Sequence, residues 1–260
     1  MDWSPFLVET AGNNGEDAGD DDLVAQGLYG GAITMCYPRT YVDVSDFRAV
    51  PDHQEVWCEA GHGGCEGNSC AEDAGIDSDD SVILELLNLK GDVPTVSCAE
   101  WFFRDLAEAS GAARCEVEHS AQISVADICP EIARSLPATE VGCAVGWHEV
   151  AKFRDEEKGG AKARNKVAVY LCNLRLRDVG TDMLVTMYRT VEVGSMSSSM
   201  IRSKSSNSSA AAHEGDEDNL SAESMARDGS SRHNDNKNPG LTQFVRMLRT
   251  LTIHDMGLFG

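Results

Sequence analysis

Two stretches gather residue types able to do chemistry. The connection Asp43-Val44-Ser45-Asp46-Phe47-Arg48-Ala49-Val50-Pro51-Asp52-His53-Gln54-Glu55-Val56 carries four carboxylates between two apolar runs. Paired carboxylates perform general acid–base work when a pocket and its surroundings set their proton affinities apart. Without such a pocket they form a solvated acidic loop, the plainer reading of this composition, because a connection's backbone needs water. The second stretch holds Cys58, His62, Cys65 and Cys70, in which thiolates and an imidazole match the donor set of tetrahedral Zn²⁺. Its spacing fits loosely: structural sites favour pairs about two to four residues apart, whereas six residues separate Cys58 from Cys65 and four separate Cys65 from Cys70. A Gly-rich loop with free thiols is the leading reading there and zinc the weak one. His53, His119, His148 and His254 lack partners at ligand spacing and read as surface or strand histidines.

Other catalytic signatures are missing. The chain has no Walker sequence, no dinucleotide-type glycine pattern, no His-Glu-x-x-His and no Gly-x-Ser-x-Gly elbow. Gly30-Gly31 lies inside a strand-like run, where paired glycines mark a bulge or close backbone approach more often than a phosphate cradle. Acidic residues outnumber basic ones by 43 to 22, a net charge of -21, which disfavours nucleic acid and anionic membranes as partners. No apolar stretch approaches the roughly 20 residues a bilayer span needs. Met1-Asp2-Trp3-Ser4 lacks the positive start of a signal peptide. Nine scattered cysteines suit thiols in a reducing compartment, so nucleus and cytoplasm are the expected location.

The elements that must position these residues fall into one domain. Residues 1–26 hold seven acidic residues and no Lys or Arg and read as a disordered acidic tail. Residues 194–238, with thirteen Ser among 45, read as a disordered Ser-rich insertion, and 59–80 as a loop insertion. The expected domain spans 27–193 and is completed by a C-terminal helix and tail over 239–260. Strands are expected over Leu28 to Tyr37, Gln54 to Cys58, 113–124, 139–153, 166–178 and Thr181 to Val193. Ser81 to Leu87 suits either a helix or a buried strand, and a strand is expected. Ser97-Cys98-Ala99-Glu100 has capping-box spacing for a helix ending near Gly111, and Pro239 opens a second helix with Leu241, Phe244, Val245, Leu248 and Leu251 at helical spacing. The local basic surplus of Lys152 to Arg177 suits charged strand edges. The fold class is α+β, with an antiparallel meander flanked by helices.

Several separated blocks, in order, resemble one known family. Leu28-Tyr29-Gly30-Gly31-Ala32, Asp43-Val44-Ser45-Asp46-Phe47-Arg48 and Val50-Pro51-Asp52-His53-Gln54-Glu55-Val56 closely resemble the N-terminal signature of the Mog family, the Ran guanine-nucleotide release factors. Ser81 to Leu87, Trp101 to Leu106, and Leu251-Thr252-Ile253-His254-Asp255 with Leu258-Phe259-Gly260 add to the likeness. It covers about residues 27–193 and 239–260 and is weakest between 112 and 193. The chain departs from the family in having Arg39-Thr40 after Pro38, where a turn glycine is usual.

The resemblance implies an α/β/α sandwich shared with the PsbP protein of photosystem II, with about six antiparallel strands. It implies binding of the small GTPase Ran and release of its guanine nucleotide in support of nuclear import, with no enzyme activity of its own. Asp52 and Glu55 are then the first candidates for the Ran-binding surface, with Asp43, Asp46 and Arg48 as neighbours. A monomer without a cofactor goes with that reading. Its rival is a Ran-binding or import-related scaffold without exchange activity.

Overall fold

The apolar alternation that marks half-buried strands resolves into two antiparallel sheets rather than one. The computed structural model describes residues 22–60, 80–151, 155–198 and 238–260. In chain order these form β1 (Leu23–Leu28), β2 (Ile33–Pro38), β3 (Tyr41–Asp43), β4 (Gln54–Glu59), β5 (Ser81–Asn88) and α1 (Thr95–Ala109). There follow β6 (Arg114–Ile123), α2 (Val125–Ile128), α3 (Pro130–Ser135), β7 (Glu140–Ala151) and α4 (Asp155–Gly159), then β8 (Arg164–Leu176), β9 (Thr181–Glu192), α5 (Pro239–Leu248) and β10 (Thr252–Ile253). The large sheet runs β3-β4-β5-β9-β8-β7-β6 and the small one β1-β2-β10. The antiparallel α+β class agrees with the sequence. The meander is interrupted, because α1 carries the chain from β5 to the far edge, so that β9 returns to pair with β5.

Three local expectations need correction, and one unassigned segment gains structure. Leu28 to Tyr37 is not one strand: Tyr29, Gly30 and Gly31 take φ of 50°, 67° and 93°, and three such residues reverse the chain so that Leu28 pairs with Ile33. β1 starts at Leu23, within the stretch assigned to the acidic tail. α1 starts at Thr95 after Pro94, so Ser97 lies inside the first turn and caps nothing; its N–H donates to the Pro94 carbonyl at 3.0 Å. The unassigned segment before β7 contains α2 and α3, each too short for a readable period. The expected acidic tail over 1–21, the loop over 61–79 and the Ser-rich stretch over 199–237 lie outside the described residues.

The period of two gives the large sheet two different faces. On one, Ala144, Val169, Leu171 and Leu184 meet Cys98, Ala99, Phe102 and Phe103 of α1. Phe102 and Phe103 are 3% and 0% exposed, and burial of this kind stabilises by about 2 kcal/mol per large side chain. A Cβ on Gly146 would stand 2.0 Å from the Glu116 carbonyl oxygen of the neighbouring strand β6 and 3.0 Å from Phe103 Cζ of α1, so only glycine fits there. The other face carries Trp57, Val82, Leu84, Val145, Tyr170, Val185 and Met187, covered by the small sheet and by α5. Asn238 caps α5, its side chain accepting from the Gly240 and Leu241 N–H groups and from the Tyr170 hydroxyl at 2.9 Å. The helix follows the expected Pro239 start and buries Leu241, Phe244, Val245 and Leu248.

Arg175 belongs to the core and not to a charged edge. It faces Asp182 across the β8–β9 pair, and both side chains are fully buried. Its guanidinium donates to the carbonyls of Lys90 and Val93 at 2.6 and 2.8 Å, while Asp182 accepts from the Lys90 N–H at 2.7 Å. This network ties the β5–α1 connection to the β8–β9 hairpin.

Candidate functional site

The β3–β4 connection is fastened at its start. The Asp43 carboxylate accepts from the Ser45 N–H at 2.8 Å, and the Val44 carbonyl accepts from both Phe47 and Arg48 N–H groups at 3.0 Å. Val44 is fully buried against Val56 and Cys58, so the following residues are lifted outward. Asp46, Phe47, Arg48, Asp52 and His53 are all exposed, Phe47 by 54%. The connection re-enters the sheet where the Gln54 N–H donates to the Pro51 carbonyl at 2.9 Å.

Glu55 takes a different position from the exposed carboxylates. It is half-buried on β4, opposite Leu84, and its Oε1 accepts the backbone N–H of Tyr29 from the small sheet. The Tyr29 hydroxyl reaches back between the carbonyls of His53 and Leu84, at 2.9 and 3.1 Å. Tyr29 thus clasps the re-entry of the acidic connection with both its main chain and its side chain. Burial pushes the Glu55 carboxyl above the usual range; the Tyr29 N–H pulls the other way, and the Asp43 charge adds to the rise. Burial and the charges of Glu55 and Glu85 raise the Tyr29 phenol in turn.

The structure divides the expected residues into two groups. Asp46, Arg48 and Asp52 stand in solvent, while Asp43 and Glu55 are half-buried; burial above all, and then the charges of Glu55 and Asp43, keep the proton on the buried Tyr37 phenol. Among the described residues Arg48 makes no ion pair with these carboxylates. Two residues the sequence reading left out belong beside them. Glu85 accepts from the Gln54 side chain at 2.7 Å and lies 3.5 Å from His53 Nε2. Tyr29 was read as part of a strand-like run and of the first signature block but given no role at the site, because the glycines that give its turn away also fit a bulge.

The weak zinc reading gains no support from Cys58, which is 9% exposed on β4 and packs with Val44 and Val56. His62, Cys65 and Cys70 lie outside the described residues, and among the described residues no group of three or more His, Cys, Asp or Glu could hold a metal ion. His148 is a core histidine against the Phe103 ring, with centroids 4.7 Å apart. His254 Nε2 is 2.8 Å from Thr34 Oγ1. β10 pairs with β2, and the N–H groups of His254 and Asp255 donate to the Ala32 carbonyl at 2.8 and 3.2 Å. The last block of the sequence signature therefore braces the turn inside the first. Two open grooves of about 410 and 400 Å³ share Arg189 and Pro239, and neither includes a residue of the acidic connection.

Comparison with known proteins converges on one family. The family described as Ran-interacting Mog1 protein matches residues 26–190. The chain is 28% identical over 178 residues to the Ran guanine nucleotide release factor of Danio rerio, covering 66% of this chain and 81% of that protein. It is 29% identical over 159 residues to the Ran guanine nucleotide release factor of Homo sapiens, covering 61% and 72%. The crystal structure of the Ran-binding protein Mog1p of Saccharomyces cerevisiae shares the fold, with a TM-score of 0.50 and 19% identity over 92% of this chain and 98% of that one. With more than half of its length matched, including the acidic connection and the turn that clasps it, the chain belongs to the family of Ran-interacting Mog1 proteins.

Proposed function

We propose that this protein binds the small GTPase Ran through the β3–β4 connection and promotes release of its guanine nucleotide, supporting nuclear import in nucleus and cytoplasm. The observation that carries the reading is the fastened acidic connection, with Asp46 and Asp52 exposed and Glu55 held behind them. A preorganised loop meets its partner without the entropy cost of ordering at binding, and exposed carboxylates complement Lys and Arg on a GTPase. Asp52 leads this surface, with Asp46 and Arg48 exposed around it and the half-buried Asp43 and Glu55 behind it. The family assignment and the names of the relatives support the choice of partner.

On this reading the protein is a regulator and not an enzyme, acting by differential binding. If it lowers the affinity of Ran for nucleotide, nucleotide must lower the affinity of Ran for it by the same factor. The tightest complex is then the one with emptied Ran, and release follows from stabilising a switch conformation that no longer holds phosphate and Mg²⁺. The test is release of a fluorescent guanine nucleotide from purified Ran, with and without the protein and its Asp52→Ala variant. Acceleration that the variant weakens is expected. Binding without acceleration would leave only the scaffold reading, and absence of binding would remove Ran as the partner.

A further inference from the structure

We infer that Glu55 is a positioning residue: its carboxylate holds the Tyr29–Gly31 turn in shape through the Tyr29 N–H, and this turn, beside the exposed Asp52, is part of the surface presented to Ran. The inference rests on the proposed Ran-release function and refines how one residue of the site serves it. Glu55 is half-buried and already engaged, whereas Asp52 is exposed. A charge in the first situation is poorly placed to meet a partner's Lys or Arg, and one in the second is well placed.

The turn that Glu55 holds is unusual. Tyr29 is, among the described residues, the only non-glycine residue with positive φ, at 50°. An aromatic L-residue adopts that conformation only when its surroundings impose it. Here they do so through the Glu55 carboxylate on the main chain and through the His53 and Leu84 carbonyls on the hydroxyl. Gly30 and Gly31 follow, both exposed, and a Cβ added to either would meet nothing within 4 Å. The result is a stretch of bare backbone that another protein can approach closely. The exposed His254 and Asp255 border it through their bonds to Ala32.

The full chain and three variants test this by nucleotide release from Ran and by hydrogen exchange at the Tyr29 amide without Ran. Glu55→Gln keeps an acceptor oxygen for the Tyr29 N–H and loses only the charge, so release within about twofold of the parent is expected. Glu55→Ala removes the acceptor and is expected to slow release, and to speed Tyr29 amide exchange, by about tenfold or more, the weight of one hydrogen bond to a charged group. Gly31→Ala leaves Glu55 untouched and meets no neighbour, but its φ of 93° suits only glycine, so it is expected to slow release as Glu55→Ala does. If Glu55→Gln is as defective as Glu55→Ala, Ran reads the charge itself and the inference falls. Normal release with Gly31→Ala, or unchanged Tyr29 exchange in Glu55→Ala, would also overturn it. Loss of release in none of the variants, with Tyr29 exchange accelerated in Glu55→Ala, would keep the clasp and remove the Ran surface built on it.

Discussion

Arg175 Nε lies 3.1 Å from Asp182 Oδ1 in a pair from which water is wholly excluded. Each side chain has further partners, so removing one member strands the other with its charge in the core. Arg175→Ala is expected to lower unfolding stability by about 3 kcal/mol or more, read from the urea midpoint at constant m. A loss below about 1 kcal/mol would place the pair among weak surface-type ion pairs.

His148 should make stability depend on acid. Burial pushes its imidazole down to about 4 from the ordinary histidine value of 6.5. Between those two values the unfolded chain binds the proton and the folded chain does not, so this group's stabilising contribution is complete above the upper value and drains away as pH falls toward the lower one. His148→Leu removes the titration. The drop in urea midpoint between about pH 7 and pH 4.5 should therefore be smaller in the variant than in the parent, and equal drops would contradict the assignment.

Asn238 supports α5 from both directions. Its side-chain oxygen serves the Gly240 and Leu241 N–H groups and also receives the Tyr170 hydroxyl. Asn238→Ala should cost about 1 to 2 kcal/mol, the upper range for a helix cap. Tyr170→Phe should cost less, because the cap itself survives. Calorimetric melting of both variants would check the order.

Asp52 stands in solvent, so its contribution to Ran association should be long-ranged and sensitive to salt. Asp52→Asn is expected to slow association by about two- to fivefold at low ionic strength and to flatten the salt dependence of the on-rate. Stopped-flow association with Ran over a salt series measures both. An unchanged slope would mean that Asp52 does not face a basic patch.

What could be read from the sequence follows from the range of the interactions involved. α5 was legible because Pro239 marks its start and Leu241, Phe244, Val245 and Leu248 recur at its period. The strands from β6 to β9 were legible because each is long, ten to thirteen residues, and they are separated by turn-forming or unpatterned stretches. The turn at Tyr29 was not, since whether paired glycines bulge a strand or reverse it depends on what waits on the other side, here Glu55 from β4. Arg175 looked like an edge charge because its partner network joins segments 82 and 85 positions apart, which no local pattern contains. The acidic connection was found by composition and by family likeness. Its division into exposed Asp52 and engaged Glu55 needed the second sheet, whose existence the unbroken apolar run concealed.

The small sheet also has a history during synthesis. Its middle strand, β2, is flanked by β1 from just upstream and by β10, whose neighbour His254 meets Thr34 across 220 positions. A ribosome-bound chain holds β2 with one open edge until the last of those residues emerges. The bracing of Ala32, and with it the turn beside the acidic connection, accordingly forms only after His254 and Asp255 have been made. A chain stopped at Arg249 should retain the large sheet yet be cut first by protease between residues 22 and 38, so an incomplete product would carry a spoiled binding face and an exposed strand edge that quality control can recognise.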